Sequence, residues 1–157
     1  MYRKVQVSIL AMITSLLISA CSPEKGPFLI VQMCLANKEG VTAFVDEMKA
    51  IATEEKMSFT DRSRDTRREL DATGYPSAER ADGSPLINIG LTRNDGMGVG
   101  AGNLGLPGYQ IAVGFSGDSG ETDSKEFADR IVKRLERHWQ ITTVPAGLGA
   151  KPLAGCQ

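Results

Sequence analysis

Glycine recurs at every second residue in the stretch GMGVGAG, residues 96–102, and this pattern restricts the fold more than any other part of the chain. The residues between the glycines are Met97, Val99 and Ala101. A period of two is the side-chain period of a β-strand, so Met97, Val99 and Ala101 share one face of the strand. The opposite face is nearly without side chains.

The same stretch contains a G-x-G-x-x-G match at Gly100, Gly102 and Gly105. Dinucleotide-binding loops of this spacing open a helix whose N-terminus holds the phosphates. Here Leu106-Pro107-Gly108 follows and leads into a further alternating segment, and no Gly-Lys-Ser/Thr sequence of the phosphate-binding loop type follows either. We therefore predict no nucleotide and no other cofactor.

A hairpin precedes the glycine strand, because Asn94-Asp95-Gly96 is a turn signal between two alternating segments. A three-residue turn with Gly96 in the left-handed position keeps large residues opposite large ones, whereas a two-residue turn mixes the faces. The predicted register places Leu91 opposite Val99, Ile89 opposite Ala101, Gly90 opposite Gly100 and Thr92 opposite Gly98.

The next alternating segment, Tyr109 to Phe115, adds further small residues to the same side. We hypothesise that this flat face receives a partner closely; a solvated sheet face and a flexible glycine loop are the alternatives. The candidate docking residues are Asn88, Gly90, Thr92, Gly98, Gly100, Ala112 and Gly114.

The remaining patterns predict an α+β fold. An apolar run at 27–36 indicates a buried strand, and three- and four-residue apolar spacing indicates helices over about 38–56 and from Asp123 onward. A short strand is expected at 57–60, a short exposed helix or structured loop at 63–74, and a last strand at 141–144. This order predicts a two-layer sandwich, with two helices on one face of a mainly antiparallel sheet, by analogy with the ferredoxin-like arrangement.

The first twenty residues read as a secretory signal peptide, with Arg3 and Lys4 before an apolar run and small residues at the end. The sequence Ile18-Ser19-Ala20-Cys21 then resembles the lipobox of bacterial lipoproteins. That resemblance implies that Cys21 carries lipid and begins the mature chain, and that Ser22, in place of aspartate, favours the outer membrane, facing the periplasm. An ordinary signal peptide with a chance cysteine is the alternative.

These boundaries divide the chain into a signal peptide at 1–20, a lipidated cysteine with a short tether at 21–27, and one domain at 28–157 that ends in a coil tail. Removal of a leader that carries Arg3 and Lys4 leaves 16 basic and 19 acidic residues. An acidic balance makes a nucleic-acid partner improbable. With Cys21 assigned to lipid, Cys34 and Cys156 are expected to form a disulfide, although two unpaired thiols are the alternative.

Few residues offer chemistry. The basic cluster Arg62, Arg64, Arg67 and Arg68 is interleaved with acidic residues at helix-pair spacing, which favours a self-neutralised surface over an anion site. Asp118, Glu121 and Asp123 favour a loop and helix cap over a calcium site, and two cysteines with one histidine give no zinc spacing. No nucleophile motif accompanies His138, the single histidine. We therefore assign no catalytic residue and no metal ligand.

The predicted function is therefore non-enzymatic protein binding by a lipid-anchored envelope protein. Such a protein is either an accessory factor of an envelope assembly or an immunity-type inhibitor of a toxin that acts in the periplasm, since small disulfide-containing lipoproteins without a catalytic set resemble such inhibitors in design. The alternative is a small envelope hydrolase or a sensor of cell-wall fragments that uses Asp118, Glu121 or the basic cluster.

Overall fold

The computed structural model describes residues 26–74, 83–117, 122–145 and 147–156. The predicted leader, Cys21 and the tether up to residue 25 lie outside the described residues. The order of elements is that expected from the sequence, and the segment 63–74 is a helix. The elements are β1 (Leu29–Cys34), α1 (Lys38–Glu54), β2 (Ser58–Asp61), α2 (Ser63–Thr73), β3 (Asn88–Thr92), β4 (Gly98–Gly102), β5 (Gln110–Ser116), α3 (Thr122–Leu135) and β6 (Thr142–Val144).

The six strands form one sheet in the order β2-β3-β4-β5-β1-β6, and every neighbouring pair is antiparallel. The predicted α+β sandwich is therefore correct. Four strands and two helices, β1-α1-β4-β5-α3-β6, follow the ferredoxin-like order in sequence and in the sheet. The unit β2-α2-β3 is added beyond β4, at the open edge of this core.

The hairpin between β3 and β4 has the predicted register. Leu91 lies opposite Val99, and Gly90 lies opposite Gly100. Arg93 and Met97 close the three-residue turn through a 2.9 Å backbone hydrogen bond, and Gly96 has a φ of 88°. A left-handed residue at this position suits the twist of a three-residue hairpin loop, and glycine adopts that conformation at little cost.

One face of the sheet, the inner face, carries the hydrophobic core. The helices α1 and α3 cover it with Phe44, Met48 and Ile51 from α1 and Phe127 and Ile131 from α3. The inward residues of the central strands include Val31, Met33, Ile89, Leu91, Val99, Ile111, Val113 and Phe115, all at most 2% exposed. The opposite side of the sheet, the outer face, has no helix packed across its centre among the described residues.

The start of α1 is fixed by a cap and by a close contact. The side chain of Asn37 accepts a 2.8 Å hydrogen bond from the backbone nitrogen of Gly40. A Cβ at Gly40 would lie only 1.8 Å from the carbonyl oxygen of Leu35. The loop that joins β1 to α1 can therefore pass this close only because residue 40 is glycine.

We expect Gly40→Ala to lower the free energy of unfolding by about 1–3 kcal/mol, because either the loop or the first helical turn must move to admit the methyl group. Gly149→Ala is the control: a Cβ there meets nothing within 4 Å, so a change within about 0.5 kcal/mol is expected. Urea denaturation of both variants measures the difference, and equal midpoints would contradict this account.

Candidate functional site

A patch of nine small residues lies at the centre of the outer face. Three rows cross β3, β4 and β5 in register, and the middle row consists of Gly90, Gly100 and Gly114. We call the nine residues the small-residue patch: Asn88, Gly90, Thr92, Gly98, Gly100, Gly102, Ala112, Gly114 and Ser116.

The middle of the patch is open. Gly100 is exposed and Gly90 is half-buried, and a Cβ built at either position meets no atom within 4 Å. Two positions are more enclosed. A Cβ at Gly98 would lie 2.6 Å from the Ser116 hydroxyl oxygen, and one at Gly114 would lie 3.3 Å from Cβ of Pro27.

The fold does not require glycine at the centre of the patch. Neither Gly90 nor Gly100 has a positive φ, and neither has a close neighbour. Glycine in the interior of a strand costs about 0.5–1 kcal/mol relative to alanine, because it loses more backbone freedom on folding. Its presence at both positions lowers stability without a compensating contact within the described residues.

Two segments border the patch. On the side of β3, the Asn88 amide nitrogen donates to the Thr66 hydroxyl at 2.8 Å, and its backbone nitrogen donates to the Ser63 hydroxyl at 2.9 Å, which places α2 beside the patch. On the side of β1, the C-terminal tail, residues 147–156, lies over Gln32 and Gln110. The helix α2 therefore lies at the Asn88 corner of the patch, and beside Gly90 the sheet continues onto Thr60 of β2.

The basic cluster lies on α2, a helix with no buried residue. Arg62 pairs with Glu69 at 3.4 Å, and Arg68 pairs with Asp65. Arg64 and Arg67 are also exposed, and neither makes an ion pair with any described residue. The four guanidinium groups thus lie on a solvated helix surface, and the structure does not gather them around a pocket.

Charged side chains also meet between α1 and α3, on the helical side of the molecule. Arg134 bridges Glu47 and Glu54, and Arg130 contacts Glu55 at 3.0 Å. These groups line a groove of about 530 Å³. Hydrogen bonding to Glu47 raises the pKa of Arg134 above its ordinary value, and Glu55 does the same for Arg130. Because the groove's carboxylates are occupied by these arginines, its charges hold the two helices together.

The turn of the β3–β4 hairpin carries a further ion pair. Arg93 binds Asp95 at 2.8 Å and lies over the ring of Phe127, 5.1 Å from its centroid. The hydrogen bond between them lowers the pKa of the Asp95 carboxyl and raises that of Arg93. The pair stabilises the turn and the end of the sheet.

The residues considered for catalysis or metal binding are not assembled by the described part of the structure. His138 is exposed in the turn after α3, with Trp139 as its ring neighbour at 5.4 Å. Asp118 and Glu121 lie outside the described residues, and Asp123 is exposed in the first turn of α3. Within the described ranges, no three histidine, cysteine or acidic side chains are grouped as a metal site.

Cys34 and Cys156 form a disulfide in the structure, with their Cα atoms 5.6 Å apart.

The docking residues predicted from the sequence omit four residues of the outer face. Gly102 and Ser116 complete the patch, and Gln32 and Gln110 bind the tail. The signal that could have found them is the period of two, which places all four on the same face as Gly100.

Comparison of the sequence with known protein families and with curated proteins gives no match. None of the helices in the described ranges has the length and apolar character needed to cross a bilayer. The functional argument therefore rests on the geometry of this chain.

We expect Gly100→Ala to raise the free energy of unfolding by about 0.5–1 kcal/mol, because it removes the entropic cost of glycine without a clash. Gly105→Ala is the matched comparison. Its Cβ would also meet nothing within 4 Å, but Gly105 has a φ of 75°, so a loss of about 1–2 kcal/mol is expected. Thermal denaturation with calorimetry measures both, and destabilisation by Gly100→Ala would show that the fold does need the glycine.

Proposed function

We propose that this chain is a lipid-anchored protein of the bacterial envelope, and that its small-residue patch docks a protein partner. The proposal rests on one observation: Gly90 and Gly100 leave the centre of the sheet open where neither backbone conformation nor packing requires glycine. A stability cost of this kind is understandable where another molecule must come close to the backbone.

The size of the patch indicates the shape of the partner. Three strands at about 4.8 Å spacing and five residues at about 3.3 Å rise give the whole patch dimensions of roughly 10 Å by 13 Å, and its open part around Gly90 and Gly100 is smaller. This is far smaller than the roughly 800 Å² that each side of a stable protein interface buries. The patch therefore receives a narrow projecting element, such as one loop or one helix, while α2 and the tail supply the rest of the contact.

The chemistry of the patch favours a protein over a charged ligand. Its members are glycine, alanine, serine, threonine and asparagine, without a charged side chain. Exposed peptide groups and hydroxyls can hydrogen-bond a partner, and the missing side chains let a bulky apolar residue of the partner reach the backbone. Docking of a protein at this patch would suit either an envelope accessory factor or an immunity-type inhibitor.

The position of Pro27 connects the patch to the proposed anchor. Pro27 lies against Gly114, and it is only six positions after Cys21 in the sequence. An extended chain of that length spans at most about 20 Å. If Cys21 carries lipid, the patch stays within about that distance of the bilayer, so the partner's docking element must reach the membrane surface.

Lipidation is tested by growing a bacterial host that expresses the full chain with radiolabelled palmitate. We expect the wild-type chain to carry label in the membrane fraction and Cys21→Ser to lose it completely, because no other residue of the lipobox can accept the lipid. The double variant Cys34→Ser/Cys156→Ser is the control and keeps the label. A cleaved, unlabelled wild-type chain would contradict the anchor.

Docking is tested by placing a photo-crosslinking phenylalanine derivative at Thr92, an exposed residue at the edge of the patch, and, as a control, at Lys49, which is exposed on α1 on the opposite side of the sheet. We expect one discrete protein adduct from position 92 and none of that mass from position 49. A second substitution, Gly90→Trp, fills the patch and should lower the adduct yield by about tenfold or more, which corresponds to roughly 1.4 kcal/mol. Equal adducts from both positions, or no effect of Gly90→Trp, would contradict docking at the patch.

A further inference from the structure

Two glutamine side chains on the outer face are buried although they are polar. Gln32 lies on β1 and is 4% exposed, and Gln110 lies on β5 and is fully buried. Gln32 is the register neighbour of Ala112, a member of the small-residue patch. The glutamines therefore extend the patch toward β1, and the C-terminal tail covers them.

Both glutamines bind the backbone of the tail and none of its side chains. The Gln32 amide nitrogen donates to the carbonyl oxygen of Lys151 at 2.8 Å, and its amide oxygen accepts from the Lys151 nitrogen at 3.1 Å. The Gln110 amide nitrogen donates to the same carbonyl at 2.6 Å, and its oxygen accepts from the Leu153 nitrogen at 2.7 Å. Each side-chain amide thus donates to and accepts from the tail backbone, as the peptide groups of a neighbouring strand would.

The pattern of these bonds shows which backbone groups a bound peptide must offer. It uses the N–H and carbonyl of residue 151 and the N–H of residue 153, and it uses no N–H of residue 152 between them. That residue is Pro152, which has no N–H to donate. The glutamine pair therefore fits an extended segment in which a proline lies between two residues that keep their amide protons.

The tail depends on few contacts. It contains no helix or strand, and Lys151 and Pro152 are exposed. Besides the glutamine bonds, the disulfide from Cys156 to Cys34 fixes its end. A surface hollow of about 350 Å³ is lined by both of these cysteines together with Gln140, Thr142 and Leu153, so a small thiol has a route toward the disulfide.

We propose that Gln32 and Gln110 form a binding site for an extended peptide segment that tolerates proline at its middle position, and that the chain's own tail occupies this site while the Cys34–Cys156 disulfide is closed. Opening requires reduction of the disulfide, for example by a dithiol. One of its thiolates attacks a cystine sulfur to give a mixed disulfide, and its second thiol then displaces the product. The chain ends with two thiols, and the reductant leaves as a disulfide.

This inference rests on the proposed function, because the glutamine pair would bind a further segment of the partner that docks on the small-residue patch. A partner segment that replaces the tail would lie directly beside the patch. The two proposals nevertheless fail separately, because crosslinking at Thr92 can succeed whether or not the glutamine pair accepts a peptide.

The test uses the full chain with its own tail disabled by Lys151→Pro, Leu153→Pro and Cys156→Ser, which removes both donors and the disulfide. The probe is a fluorescein-labelled peptide of residues 147–157, GLGAKPLAGCQ, with serine in place of its cysteine, followed by fluorescence anisotropy. We expect saturable binding that weakens about tenfold when Gln110→Leu is added, because two hydrogen bonds are lost. Absence of binding to a folded chain, or equal binding without Gln110, would overturn the proposal.

Matched peptides test the selectivity. N-methylation at the position of Leu153 removes the donor to Gln110 and should weaken binding about tenfold, whereas alanine in place of Pro152 should change it less than about threefold. Equal affinity of the N-methylated peptide would overturn the assignment of the site.

Hydrogen exchange on the unmodified chain gives a measurement that does not depend on the variants. With the disulfide closed, the Lys151 and Leu153 amides should be protected. After reduction with a phosphine, we expect their exchange to accelerate about tenfold or more while the amides of β1 and β5 stay protected. Unchanged protection of the tail, or loss of the sheet together with the tail, would overturn the proposal.

Discussion

Strand β1 is hydrogen-bonded along both edges and covered on both faces, and the other elements are arranged around it. It pairs with β5 on one side and β6 on the other. Its inward residues, Val31 and Met33, lie beneath α1 and α3, while the outward Gln32 lies beneath the tail. Covering the outward side needs polar partners because Gln32 is buried there, and the tail backbone supplies them.

The outer face therefore has two halves with different requirements. Around β1 the buried glutamines must be bonded, since an unsatisfied amide in the interior costs about 1–3 kcal/mol. On the outward side of β3 and β4, Asn88 is half-buried and Thr92 is exposed, and the glycines at positions 90 and 100 leave their peptide groups open to solvent or to a partner. The outer face is therefore stabilised by hydrogen bonds where the tail covers it, and its backbone is accessible where the tail does not cover it.

Much of this arrangement could be predicted from local patterns. The period of two gave the strands and their faces, and the turn at Asn94 to Gly96 gave the hairpin register, because only one register keeps Leu91 opposite Val99. Contacts between residues distant in sequence could not be predicted. The pairing of Arg134 with Glu47 depends on how two helices lie side by side. The position of the tail depends on two glutamines that are separated by 78 positions in sequence. The packing of Trp139 is another such contact: α3 ends at Leu135, and the indole packs edge-on against Phe44 from the following turn.

The strand order also sets when the domain can form. β1 lies near the start of the described chain, but its two neighbours, β5 and β6, begin only at Gln110 and Thr142. Contacts between residues so far apart close late, because the entropy of the long intervening loop must be overcome first. A chain that emerges in sequence order from a ribosome or a narrow channel cannot complete its central strand until almost the whole length is free. The topology thus makes completion of the central sheet depend on β6, the last strand of the described chain.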